Sequence, residues 1–122
     1  MKTIKQEDAN GCGVACVAML TGVEYDEARE VIYPTGRSRL TNTKDLRTAL
    51  KKLGRKPMSE RRQPFGPKTP EDLTTNTLIF VKMGKKGKGN GHWVVWDAEA
   101  KKIRDPDPSK RLYKIKGYLA VE

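Results

Sequence analysis

The sequence predicts an α+β fold, with helices in the N-terminal half and an antiparallel sheet in the C-terminal half. Two patterns carry this expectation. Before residue 54, apolar residues recur at helical spacing, and each such segment stops at a glycine or a proline. Beyond residue 76, β-branched and aromatic residues gather in short runs separated by turn-forming residues. Runs of helix followed by runs of strand define the α+β class. No repeat or linker divides the 122 residues, so residues 1–122 are expected to form one domain.

Residues 12–21 read as a short helix with Cys12, Cys16, Met19 and Leu20 as its apolar positions and Gly22 as its stop. Residues 26–33 place acidic groups in a first helical turn and end at Pro34. Residues 43–53 carry Leu46, Ala49, Leu50 and Leu53 on one face, with Asn42 or Thr43 as N-cap and Gly54 at the stop. Residues 55–76 read mainly as loop, with one turn begun by Pro70 after Thr69. Strands are expected at 77–83, 92–97, 101–105 and 112–121, the second and third joined as a hairpin.

Charged residues make up 33% of the chain and hydrophobic ones 36%, which fits a folded soluble domain rather than a disordered one. No apolar run approaches the ~20 residues of a membrane helix, so no membrane association is expected. The start, "MKTIKQED", lacks the apolar core of a signal peptide. Two cysteines in such a chain do not form a disulfide framework, and a cytoplasmic protein with reduced thiols is expected. The net charge is +10, with 11 basic against 8 acidic residues in 1–60 and 14 against 7 in 61–122. A basic face of this kind attracts an acidic protein partner or nucleic acid. No zinc-finger, RNP or helix-turn-helix signature accompanies it, so nucleic acid rests on composition alone.

Cys12 begins the first expected helix, where the helix dipole and nearby N–H groups favour a thiolate. Gly11 and Gly13 on either side are expected to leave the sulfur open to a substrate backbone. Cys16, one turn later, falls on the apolar stripe and reads as a small buried hydrophobe. His92 is the only histidine, so an imidazole base for Cys12 must be His92. Asp105 follows on the next strand, where antiparallel pairing brings it within reach of the ring's second nitrogen. Gln6 lies six residues before Cys12 and can donate to an oxyanion beside the Cys12 N–H. Gly91 and Trp93, which flank His92, join Gly11 and Gly13 as the expected substrate-contacting set. No cofactor is expected. Cys12, Cys16 and His92 fall short of the four ligands of a structural zinc site, so no metal is expected either.

The segment "KMGKKGKGNGH" (82–92) lacks the P-loop spacing. Its four glycines and four lysines read as a mobile basic loop beside His92, able to act as a flap or to dock acidic groups.

The stretch "QEDANGCGVACVAML" resembles the opening of the papain-like bacteriocin-processing peptidases, which cut leader peptides after a double glycine. That family carries a Gln, five intervening residues, Cys-Gly-x-Ala-Cys and an apolar helix, here Gln6, Cys12, Gly13, Ala15 and Cys16. "NTKDLRTALKKLG" resembles its third helical segment, and "HWVVWD" followed by "IRDPDP" resembles its later His and Asp-Pro signature. The resemblance spans about residues 4–121. It implies a papain-like fold for a free-standing member, with N-terminal helices packed on a C-terminal antiparallel sheet. By position it implies Cys12 as nucleophile, His92 as base and acid, Asp105 as orienter and Gln6 as oxyanion donor, with Asp107 as the fallback for Asp105. The residue before the nucleophile, commonly Asp in the family, is Gly11 here. The implied substrate is a peptide or protein with a Gly-rich or acidic segment. The competing reading keeps the same shell as a non-catalytic binding module for a protein or nucleic acid.

Overall fold

The computed structural model describes residues 1–109 and 111–122. Its elements run in the order α1 (Cys12–Thr21), α2 (Tyr25–Ile32), α3 (Thr43–Lys52), a 3-10 turn (Pro70–Asp72), β1 (Thr77–Met83), β2 (Gly91–Asp97), β3 (Lys102–Arg104) and β4 (Tyr113–Ala120). The sheet order is β3-β2-β1-β4, and every pairing is antiparallel. Each helix and strand expected from the sequence is present, within one or two residues at its ends.

α1 differs in its environment. Instead of one apolar stripe, every residue from Gly13 to Leu20 is buried. A helix that is apolar all round belongs inside the core, and α1 is enclosed by α2, α3 and β2. Gly22 ends it in the left-handed conformation (φ 79°), its N–H donating to the Ala18 carbonyl. α3 starts at a reciprocal cap: the Asn42 side chain accepts from the Asp45 N–H, and the Asp45 carboxylate accepts from the Asn42 N–H, both at 2.9 Å. Of the two N-cap candidates, the structure uses Asn42.

Strand alternation splits the core into two layers. Leu78, Trp93, Val95 and Leu119 pack against the helices. Ile79, Val81, Val94 and Trp96 face the other way and are covered by Phe65 and Leu73 of the long connection. That connection is more than a loop, because it runs along the outer edge of β4. Pro57 bridges to Val121 and Gln63 to Tyr118, which covers strand groups that would otherwise be exposed. The β2–β3 hairpin closes as expected: the Asp97 carboxylate accepts from the Ala100 N–H (3.1 Å) and the Arg104 guanidinium (2.8 Å). Burial raises the Asp97 pKa, but these two donors more than offset it and hold the carboxyl below its usual range.

The 84–90 segment is built from backbone-bonded turns. Gly84 donates to the Leu112 carbonyl (2.8 Å), Gly87 to Gly84 (3.0 Å) and Gly89 to Met83 (2.8 Å). One of these bonds ties the segment to Leu112, just before β4, and the other two close turns within 83–89. Among the described residues, no helix is long and apolar enough to cross a membrane.

Candidate active site

Cys12 is the first residue of α1, so its N–H has no acceptor within the helix. Its side chain is half-buried, whereas Cys16 is fully enclosed. Burial pushes the Cys16 thiol well above its usual value, which suits an inert core residue. His92 is the second residue of β2, paired opposite Val81 of β1. Its side chain is 8% exposed, and its Nε2 lies 2.7 Å from Asp105 Oδ1. With Nε2 occupied by the carboxylate, Nδ1 is the nitrogen left for the sulfur. Burial alone would lower the His92 pKa, but Asp105 and then the Cys12 sulfur reverse that and raise it to about 9.

Asp105 sits just beyond β3 and is held in turn. The Asp107 N–H donates to the same Oδ1 (2.9 Å), while the Asp107 carboxylate accepts from Ser109 and pairs with Arg111. The geometry therefore puts Asp105, rather than the fallback Asp107, on the imidazole. Gln6 approaches through the chain start, its N–H bonded to the Pro106 carbonyl (2.9 Å). Its side-chain Nε2 donates to the Asp8 carbonyl (3.0 Å) and lies 3.4 Å from that of Ala9. Gln6, Cys12, His92, Gly91 and Asn90 share the wall of one cleft of about 640 Å³, with Leu40 and Met83 as its apolar contribution.

Three of the expected substrate contacts lie elsewhere. Gly11 is buried, and a Cβ there would sit 2.0 Å from the Tyr25 hydroxyl. A Cβ on Gly13 would meet Thr41 Oγ1 at 2.4 Å and Leu46 Cδ2 at 2.9 Å. Both glycines admit neighbouring helices and loops rather than a substrate. Trp93 is buried in the helix-side core against Phe80, ring centroids 4.9 Å apart. Of the four, only Gly91 lines the cleft.

Sequence patterns give no sign of the bracket that holds the loop before Cys12. Asp8 Oδ2 accepts from the Tyr25 hydroxyl (2.9 Å) and from Arg29 Nε (3.1 Å), both on α2. The Tyr25 hydroxyl occupies the space that a side chain at Gly11 would need. The Asp8–Arg29 separation of 21 residues hides this pairing from any local pattern. Among the described residues, no cluster of three or more His, Cys, Asp or Glu is arranged to hold a metal.

Helices packed on one face of an antiparallel sheet, with a cysteine opening the central helix and a histidine on the sheet beside it, make this a papain-like fold. It is similar to the crystal structure of the peptidase domain of Streptococcus ComA, a bi-functional ABC transporter involved in a quorum sensing pathway. The TM-score is 0.68 at 23% sequence identity, over 99% of this chain and 96% of that one. The sequence matches no protein-family model and no curated protein.

Proposed function

We propose that this protein is a cysteine peptidase acting on a peptide or protein substrate. The observation that carries the reading is His92, held at 2.7 Å by Asp105 and sharing one cleft with Cys12 and Gln6. The Cys12 sulfur attacks the carbonyl carbon as thiolate, with the imidazolium of His92 as its counter-ion. The oxyanion is held by the Cys12 N–H and by the Gln6 Nε2 hydrogen that turns away from its long 3.4 Å contact with the Ala9 carbonyl. His92 Nδ1 passes its proton to the leaving amine, the C–N bond breaks, and an acyl-thioester remains on Cys12. His92 then takes a proton from water. The resulting hydroxide attacks the thioester, and the acid leaves as the sulfur is restored. Asp105 keeps Nε2 engaged throughout, so that Nδ1 stays on the reacting side.

Alkylation by iodoacetamide tests the pair directly. Cys12 is expected to label fast near neutral pH, and His92→Ala to slow it by at least about tenfold, while Cys16 labels slowly in both. Equal, slow labelling of the two cysteines would leave a papain-like binding module without peptidase chemistry.

A further inference from the structure

A second concavity lies beside the catalytic cleft, of about 510 Å³, with Arg62, Lys82 and Lys116 around it and Phe80 within its lining. Its shape depends on three irregularities of the sheet. Gly117 lets the connection lie close, since a Cβ there would meet the Gln63 carbonyl oxygen at 3.2 Å and Arg62 Cβ at 3.4 Å. A bulge in β4 opposite Phe80 and Val81 inserts Lys116 as an extra residue, a device that re-aims a side chain. Gly87, at φ 67°, packs so closely on β4 that a Cβ would lie 2.6 Å from Lys114 Cβ.

The cations around this groove are not neutralised. Among the described residues, none of Arg62, Lys82 and Lys116 is in an ion pair. The Arg62 guanidinium lies over the Phe80 ring, 4.0 Å from its centroid, and 5.9 Å from that of Trp93. Stacking of this kind holds the guanidinium in place while leaving its N–H donors for an anion. The groove is also next to the chemistry. Gly91, paired with Lys82 across β1 and β2, touches the Phe80 ring, where a Cβ would come within 2.6 Å of Cζ. Gly91 itself lines the catalytic cleft. One glycine separates the two depressions.

We propose that the Arg62–Lys82–Lys116 groove docks a carboxylate-rich stretch of the substrate polypeptide, a few residues from the bond to be cut. This rests on the peptidase reading above. An extended peptide continuing past Gly91 runs onto the groove and meets three uncompensated cations there. Each contact is partly exposed and modest alone, so the set selects acidic segments and speeds their capture.

The test uses fluorescence anisotropy of a fluorescein-labelled oligoglutamate peptide on the full chain in a Cys12→Ala background. Arg62→Gln/Lys82→Gln/Lys116→Gln is expected to weaken binding by about tenfold. Lys51→Gln/Lys52→Gln/Lys101→Gln removes the same charge outside the groove and is expected to bind within about twofold of the parent. Lys82→Gln/Lys116→Gln keeps the Arg62 stack, guards against misfolding, and should give an intermediate loss. Equal binding by the groove and control variants overturns the proposal. So does tighter, groove-dependent binding of a single-stranded oligonucleotide of matched charge. Cys12 alkylation, measured in the native background with the same groove substitutions, should remain fast. Unchanged oligoglutamate binding with fast alkylation overturns the groove alone. Slow, His92-independent alkylation of the parent overturns the peptidase reading and the substrate role with it.

Discussion

His92 is nearly buried, and burial normally drives the proton off an imidazole. Here Asp105 on one side and the Cys12 sulfur on the other reverse that preference, and the ring keeps its proton up to about pH 9. The folded pKa is above the unfolded value of 6.5. The stability this contributes is therefore fully present below pH 6.5 and is lost as pH rises through about 9. Melting temperatures of the parent and of Asp105→Asn, measured across that range, should differ most at the acidic end and converge at the alkaline end. A pH-independent gap would mean that Asp105 does not stabilise the protonated ring. The expectation that Cys12 pairs with His92 is legible in the amino-acid sequence because both residue types are scarce. The chain has one histidine and two cysteines, and one of the cysteines stands at a helix start. The roles of Gly11, Gly13 and Trp93 are not legible there. A glycine beside a nucleophile looks the same in sequence whether it makes room for a substrate or for a tyrosine.

At the scale of elements, α2 is tied to the loop that carries Gln6 and leads into Cys12 at the start of α1. The Tyr25 hydroxyl fills the space beside Gly11 and bonds to Asp8. Gly11→Ala should therefore force α2 and the loop apart, at a cost of about 1–3 kcal/mol. Tyr25→Phe removes the obstructing oxygen and also one hydrogen bond. In a double-mutant cycle read by chemical denaturation, the pair should cost less than the sum of the singles. Strict additivity would show that the two positions do not compete for space. Helix and strand positions are readable from the sequence because hydrophobic periodicity is local. The complete burial of α1 is not, since the surroundings of a helix depend on elements far along the chain.

At the scale of the molecule, β1 is the centre of the sheet, paired with β2 on one side and β4 on the other, and its Leu78, Ile79 and Val81 are fully enclosed. β3 is a three-residue edge strand. Hydrogen exchange should accordingly find the slowest amides in β1 and the adjoining part of β2, and the fastest strand amides in β3. Early exchange of β1 would contradict this account of the core. The long basic connection also belongs to this scale. It reads as loop because its arginines and prolines carry no periodicity, yet it covers the edge of β4 and delivers Arg62 onto Phe80.

What the sequence determined by itself was the order of helices and strands and the two residues whose chemistry stands out, Cys12 and His92. Those follow from local periodicity and from the reactivity of individual side chains. Only the tertiary structure decided which aspartate meets the imidazole, which glycines are internal spacers, and where the basic charge gathers. These depend on distances between residues far apart in the chain, set by strand register, a bulge and helix packing, none of which has a local signature.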